Sequence, residues 1–210
     1  MTRSIIEPIS KVEAKKDLKR QRILDAAKRR FGRYGLRATT MQEIALEAGV
    51  AVGTIYQFFP DKDALMLAWV DEHRELIRSQ WDEVVKQRGS ADEKLRQFVR
   101  VRFHTVRAVR EESAISELTR LVIRIAPKSI TEMTQSALGY IRAILDEGLR
   151  SGCFPSVLPA KDAEIFFHAL SGFFPSSEDP LTGPPREDLM LRVVDWFISK
   201  WKLPRPKSRS

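Results

Sequence analysis

Three polar side chains in the first third of the sequence could form a hydrogen-bonding surface. Thr54, Tyr56 and Gln57 lie in one short stretch directly after Gly53. A hydroxyl group both donates and accepts hydrogen bonds, and a glutamine amide can pair with the edge of an adenine. These side chains offer hydrogen bonds to a partner, and none of them is paired in the sequence with a residue that would make it a nucleophile.

Motifs of common catalytic and metal sites are absent from the sequence. It contains no HExxH, no Gly-x-x-x-x-Gly-Lys and no Gly-x-Ser-x-Gly motif. The histidines His73, His104 and His168 lack the spacing of metal ligands. The single cysteine, Cys153, excludes an internal disulfide and a thiolate zinc cluster, and a redox-sensing role for it stays open. We therefore predict that the protein is not an enzyme, holds no metal and needs no cofactor.

Two short helices joined by a tight turn would position the polar side chains. The sequence predicts the first helix over residues 40–48, where Thr40 and Glu43 form a capping box. Gly49 ends this helix because glycine readily adopts the left-handed conformation of a helix terminus. The second helix covers residues 52–58, with Ile55 in the core. This arrangement is typical of a helix-turn-helix, whose second helix enters the major groove of DNA.

A longer ordered motif surrounds these two helices. It consists of Thr40-Met41-Gln42-Glu43-Ile44-Ala45, Ala48-Gly49-Val50, Gly53-Thr54-Ile55-Tyr56-Gln57-Phe58-Phe59 and Lys62-x-x-Leu65, preceded by Ile23-Leu24-Asp25-Ala26-Ala27 and Phe31-x-x-Tyr34-Gly35. The motif closely resembles the N-terminal domain of TetR-family transcriptional repressors over residues 20–69. The resemblance implies an all-α fold, with an N-terminal helix-turn-helix domain of three helices and a larger C-terminal helical domain for ligand binding and dimerisation.

The resemblance also implies which residues bind DNA: Thr40, Val52, Gly53, Thr54, Tyr56, Gln57 and Lys62. Thr40 would present its hydroxyl and the adjacent N–H groups to a phosphate, although the same geometry fits a plain helix cap. Gly53 would let DNA approach closely, or else allow tight packing of helices. Thr54 and Tyr56 resemble the family's phosphate and base-edge contacts, unless Tyr56 is buried. Gln57 would read a base, and Lys62 would bind the phosphate backbone.

Two positions depart from the family pattern. Ala51 stands where serine is common, which removes a side-chain cap worth about 1 kcal/mol. Phe58 stands where tyrosine or histidine is usual, which removes one phosphate contact. A basic arm could compensate for the missing contact.

The charge distribution supports such an arm. Residues 1–40 contain 12 Lys and Arg against 4 Asp and Glu, whereas residues 41–210 contain 24 of each, so the net charge of +8 lies at one end. A basic surface attracts nucleic acid through its phosphates. We predict that residues 1–19 form a flexible basic arm that follows the DNA backbone or enters a minor groove.

We predict that residues 20–210 form three further parts. Residues 20–65 form the helix-turn-helix domain, residues 66–203 the effector-binding and dimerisation domain, and residues 204–210 a disordered tail. The last two predicted helices, about residues 160–174 and 187–201, are apolar on more than one face, with Phe166, Phe173 and Phe197 among their aromatic residues. A small domain can bury only one face of such a helix, so the other apolar face needs a partner. We therefore predict a two-fold dimer interface on these two helices, at which Phe197 could lie.

Candidate effector-binding residues are Trp81, Phe98, Arg102, Phe103 and Tyr140. The aromatic side chains could line a cavity, but aromatic residues at helical spacing also form ordinary cores. Arg102 lies on an apolar stripe, where an unpaired cation is costly to bury. It could pair with an acid such as Glu117, extend outwards or bind an anionic ligand.

We predict a dimeric, cytoplasmic transcriptional regulator that represses an inverted-repeat operator on double-stranded DNA until a small molecule releases it. The longest uncharged run, residues 165–177, has 13 residues, too few to span a bilayer, so no membrane association is expected. An enzyme built on a helical bundle, and an architectural DNA-binding protein without an effector, are the alternatives.

Overall fold

The computed structural model describes residues 11–111, 127–173 and 186–204. These residues form eight α-helices and no strand, which confirms the predicted all-α fold. In chain order the helices are α1 (Lys11–Ala38), α2 (Met41–Ala48), α3 (Val52–Phe58), α4 (Lys62–Lys86), α5 (Ala91–Glu111), α6 (Pro127–Arg150), α7 (Pro159–Ser171) and α8 (Glu187–Lys202).

The chain divides into an N-terminal unit, Met1–Asp71, and a C-terminal unit, Glu72–Ser210. The division falls inside α4, a few residues after the predicted boundary between residues 65 and 66. Of the predicted tail, residues 205–210 lie outside the described residues.

The N-terminal unit packs α1, α2 and α3 around a small apolar core. Ile23, Ala27 and Phe31 of α1 recur at helical spacing and are buried. Ile44 of α2 and Ile55 of α3 are wholly buried beside them. Helices as short as α2 and α3 are unstable alone, so this packing is what holds them in place.

Helix α1 begins earlier than the sequence predicted. It is helical from Lys11, so residues 11–19 are not an extended arm; residues 1–10 lie outside the described part of the chain. Lysine, alanine and glutamate are good helix formers, which lets the helix continue N-terminally from its packed half. At the other end Gly35 has φ 79° and ψ 163°, which interrupts the helix near its predicted end.

An aromatic cluster forms the centre of the core between α7 and α8 in the C-terminal unit. The ring of Phe197 lies 5.3 Å from that of Phe166 and 5.3 Å from that of Trp201, measured between centroids. Phe166 is wholly buried and Phe197 retains 9% of its surface. The expectation that Phe197 lies at an interface is therefore wrong, because its ring is part of the unit's own core.

Other apolar side chains of these two helices point outwards. Ile165 of α7 is 55% exposed to solvent, and Trp196 of α8 is 56% exposed. Leu189 of α8 is also exposed. It lies seven residues before Trp196 and therefore on the same side of the helix. Thus α7 and α8 do carry a second apolar face within this unit, formed by these residues and not by Phe166 and Phe197.

A close contact between Gly148 and Phe154 closes the end of α6. Phe154 follows the helix, is wholly buried, and its backbone N–H donates to the carbonyl of Gly148 at 2.9 Å. Its ring lies against the Cα of Gly148, so that a β-carbon there would be 2.8 Å from Cε2 and 2.9 Å from Cγ of the ring. Glycine is required here for space, since Gly148 does not have a positive φ.

Candidate nucleic-acid interface

The turn between α2 and α3 has the geometry that the sequence predicted. The hydroxyl oxygen of Thr40 accepts from the backbone N–H of Glu43 at 3.3 Å, and the Glu43 carboxylate accepts from the N–H of Thr40 at 2.8 Å. Gly49 lies in the left-handed region, with φ 65° and ψ 42°. The N–H of Val50 then donates to the carbonyl of Ala45 at 3.0 Å. These contacts fix the direction in which α3 leaves the turn.

Helix α3 has one buried anchor and a polar exposed side. Ile55 is wholly buried, whereas Tyr56 keeps 47% of its surface and Gln57 is exposed. Val52 is exposed and Thr54 is half-buried. The possibility that Tyr56 is a core residue is thereby excluded. The predicted base-reading and phosphate-binding side chains share one accessible helix.

Gly53 has no packing role in α3. It is exposed, and a β-carbon built on it would meet no atom within 4 Å. The explanation by tight packing of helices is therefore wrong. A glycine inside a helix costs up to about 1 kcal/mol relative to alanine, and among the described residues no packing contact at Gly53 accounts for that cost.

Thr40 fits the plain-cap interpretation. Its hydroxyl donates to the Glu43 carboxylate at 2.9 Å, and Arg30 forms an ion pair with the same carboxylate at 2.6 Å. The hydrogen bonds from the backbone and side chain of Thr40 lower the pKa of Glu43, so the carboxylate stays charged. A phosphate would have to displace this carboxylate to reach Thr40, which leaves DNA contact by Thr40 as a prediction.

Lys62 has an internal role that the sequence did not reveal. Its ammonium group donates to the carbonyl oxygens of Leu36 and Thr39, each at 2.9 Å. The hydroxyl of Thr39, which is wholly buried, donates to the carbonyl of Gly35 at 2.8 Å. Lys62 therefore joins the beginning of α4 to the end of α1. Its third N–H donor is not used by these two bonds, so contact with the DNA backbone stays a prediction.

Arg22 is a further structural cation that sequence reasoning missed. Its guanidinium donates to the carbonyl of Ala48 at 2.9 Å, which caps the end of α2. By contrast, the N-cap residue Ala51 of α3 makes no side-chain hydrogen bond, as its methyl group dictates. No sequence pattern marks Arg22, because the contact joins residues that are 26 positions apart.

Three of the predicted effector-binding residues lie together in the C-terminal unit. The ring centroids of Trp81 and Phe98 are 5.0 Å apart, and that of Tyr140 lies 5.4 Å from Trp81. The Tyr140 hydroxyl donates to Asp82 at 2.5 Å. Burial and this carboxylate raise the pKa of Tyr140 to about 12. The indole N–H of Trp81 is buried and has no hydrogen-bond partner among the residues that the structure describes.

The remaining two predicted residues have other neighbours. Phe103 is buried, with its ring 5.7 Å from that of His104. The guanidinium of Arg102 lies 4.5 Å from the ring centroid of Phe167, a cation–π contact. Burial lowers the pKa of Arg102 to about 10, so it remains a cation at neutral pH. Glu117, its suggested partner, lies outside the described residues.

The described parts of the chain contain neither a candidate metal site nor a helix suited to a membrane span. Residues 11–111, 127–173 and 186–204 contain no group of three or more histidine, cysteine, aspartate or glutamate side chains that could hold a metal ion. Among the helices of those ranges, none is long and apolar enough to cross a membrane.

Comparison with known proteins identifies the family. Residues 23–69 match the family described as "Bacterial regulatory proteins, tetR family". These residues form a TetR-family N-terminal domain. The chain is 28% identical over 138 residues to the fatty acid metabolism regulator protein of Bacillus subtilis, across 64% of this chain and 70% of that protein. The family and these relatives are transcriptional regulators and not enzymes, as predicted.

Solved structures agree with the TetR-family fold over nearly the whole chain. A transcriptional regulator from Cytophaga hutchinsonii superposes with a TM-score of 0.73 at 23% identity and covers 90% of this chain and 100% of its own. The regulator FadR from Bacillus subtilis, solved in complex with stearoyl-CoA, has a TM-score of 0.62 at 22% identity and covers 86% of this chain and 98% of its own.

Proposed function

We propose that the protein is a dimeric, cytoplasmic transcriptional repressor that binds an inverted-repeat operator and is released from it by a small molecule. The observation that carries the proposal is the construction of α3. Its Ile55 anchor fixes the helix, while Tyr56 and Gln57 are accessible on its surface. A recognition helix needs both properties, because a loosely held helix could not keep its side chains in register with the base pairs.

The exposed side chains of α3 divide into two kinds of contact. Thr54 and Tyr56 carry hydroxyls suited to phosphate oxygens, which position a protein on DNA without reading its sequence. Gln57 carries the amide that can pair with adenine in the major groove. Val52 adds an exposed apolar surface that fits a thymine methyl group.

Replacing Gln57 and replacing Tyr56 should therefore have different effects on DNA binding. Gln57→Ala is expected to lose about 1–3 kcal/mol of discrimination at one base position per half-site. Tyr56→Phe should weaken binding to operator and random duplex alike, because it removes a hydroxyl from a sequence-independent contact. Operators selected by the wild-type chain from a random pool, followed by anisotropy titrations of each single-base variant, measure both quantities. Equal losses on all duplexes for Gln57→Ala would contradict its assignment to a base.

Gly53→Ala should separate stability from binding. The added methyl group meets no protein atom, so the chain is expected to gain up to about 1 kcal/mol in unfolding free energy from helix propensity. DNA affinity should nevertheless fall, since the methyl group enters the space that the DNA would occupy. Thermal denaturation and anisotropy on one preparation measure the two effects. A more stable variant with unchanged affinity would show that DNA does not approach α3 at Gly53.

The apolar outer face of α7 and α8 supports the dimer. Ile165, Leu189 and Trp196 are exposed on helices whose other faces form the core. Their burial against a second copy would yield a two-fold interface in which the same surface contributes from both protomers. The two-fold symmetry of this dimer would relate its two recognition helices, so each would read one half of an inverted repeat.

The effector is proposed to bind the C-terminal unit near Trp81, Phe98, Arg102, Phe103 and Tyr140. The aromatic rings offer apolar surface, and the indole N–H of Trp81 offers a buried donor to a ligand acceptor. Arg102 adds a partly desolvated positive charge suited to an anionic group. The fatty acid metabolism regulator and the stearoyl-CoA complex make acyl-CoA thioesters the first probes, with free CoA as the control. Release of a bound operator duplex is the readout.

A further inference from the structure

The N-terminal part of α1 presents a helical surface that packs against no core. Residues 13–22 are all exposed, and they precede the family-matched segment, which begins at residue 23. Apolar burial begins only at Ile23. Apart from Leu18, which is 65% exposed, the large side chains of this segment are polar, so its surface is available to a partner.

Cations are concentrated on one side of this segment. Lys15, Lys16, Lys19 and Arg20 have the spacing that brings side chains to one side of a helix. Within the described residues no carboxylate forms an ion pair with any of the three lysines. Like charges four residues apart, such as Lys15 and Lys19, destabilise a helix. An anionic partner would remove that repulsion.

Two cations of this side, Lys16 and Arg20, lie next to the recognition helix. They line an open groove within the N-terminal unit together with Glu13, Asp17, Gln57 and Phe58, whereas Lys15 and Lys19 lie outside the groove. In addition, the guanidinium of Arg20 lies 5.1 Å from the ring centroid of Phe59, directly after α3. When α3 occupies a major groove about 12 Å wide, the nearest anions to this side of α1 are the phosphates that border the groove.

We propose that residues 13–22 of α1 form a second, helical DNA contact that binds phosphates flanking the half-site read by α3. This inference rests on the proposed DNA-binding function and adds a contact outside the family-matched segment. It assigns backbone binding to lysines with free ammonium groups, whereas the ammonium of Lys62 is held by two carbonyls. The contact is independent of sequence, so it should contribute equally on any duplex.

A pair of charge-matched triple variants of the full chain tests the proposal. Lys15→Gln, Lys16→Gln and Lys19→Gln are combined in one variant. The control combines Lys86→Gln, Lys128→Gln and Lys161→Gln, three exposed lysines of the C-terminal unit. Both variants lose three positive charges, and glutamine has nearly the helix propensity of lysine. The probe is a fluorescent random-sequence duplex of about 40 base pairs, titrated between about 50 and 200 mM salt.

The α1 variant is expected to bind more weakly and with a flatter salt dependence. Each lost lysine–phosphate contact lowers the slope of log Kobs against log salt by about 0.9, or about 2.7 per protomer for three contacts. The control should keep the wild-type slope, and both variants should keep the wild-type helicity and melting temperature. A third variant with arginine at all three α1 positions should restore the slope, since charge rather than lysine chemistry is required.

Three results would overturn the inference in distinguishable ways. Equal slopes for the α1 variant and its control would show that only overall charge matters, while DNA binding itself stands. Failure of the wild-type chain to bind any duplex would remove the proposed function together with the inference. Binding to vesicles of phosphatidylglycerol and phosphatidylcholine that is lost in the α1 variant, with the DNA salt slope unchanged, would assign the surface to a membrane.

Discussion

Trp196→Glu is expected to give a folded chain that sediments as a monomer. Trp196 retains 56% of its surface within the protomer, so a carboxylate there stays solvated in the monomer. In the proposed dimer the same carboxylate would be buried in the interface without a partner, at a cost of several kcal/mol. Affinity for an inverted-repeat operator should fall with dimerisation, because one half-site supplies only part of the binding energy.

Two further variants make the result interpretable. Phe197→Glu should unfold the C-terminal unit, because Phe197 packs against Phe166 and Trp201 in its core. Leu149→Glu changes another exposed apolar residue, which keeps 40% of its surface, and should leave the dimer intact. Sedimentation, circular dichroism and operator titration of the three variants distinguish the outcomes. A Trp196→Glu chain that remains dimeric would move the interface away from this face of α8.

Gly148→Ala should cause a large loss of stability for so small a change. The new methyl carbon would be 2.8 Å from Cε2 and 2.9 Å from Cγ of Phe154, with Cδ2 in contact as well. Phe154 is wholly buried, so its ring can move only by disturbing the packing of its neighbours. Overpacking of this kind typically costs about 1–3 kcal/mol. Thermal denaturation followed by circular dichroism measures the loss.

The same helix provides the matched control for this substitution. A β-carbon at Gly139 of α6 would meet no atom within 4 Å, so Gly139→Ala should be neutral or stabilising through helix propensity. The two variants differ only in the surroundings of one methyl group. Equal melting temperatures for Gly139→Ala and Gly148→Ala would mean that the Phe154 ring relaxes without cost, against the expectation.

Local sequence rules predicted the helix-turn-helix well. The Thr40–Glu43 capping box and the left-handed Gly49 follow from residues within one turn of each other, and the burial of Ile55 follows from its place on a short helix. Such features depend on contacts between near neighbours in the chain. The sequence could therefore predict the type of fold and the geometry of the turn, whereas DNA binding by the side chains of α3 stays a prediction.

The features that the sequence did not predict depend on contacts between residues that are distant in the chain. Lys62 reaches carbonyls 23 and 26 residues away, which no local pattern encodes. Phe197 and Trp196 are adjacent in an apolar helix, and only the packing of that helix determines which one is buried. The early start of α1 is a third case, since exposed lysines are compatible with both a helix and an extended arm.

The construction of α3 also limits how its specificity could be transferred to another protein. The helix has seven residues, lacks a side-chain cap at Ala51 and contains Gly53, three properties that disfavour an isolated helix. Its order comes from Ile55 and Phe59, which are buried against the rest of the N-terminal unit. A peptide of this segment would thus have no defined recognition surface. New operator preferences are better sought by exchanging exposed side chains in place than by grafting the helix elsewhere.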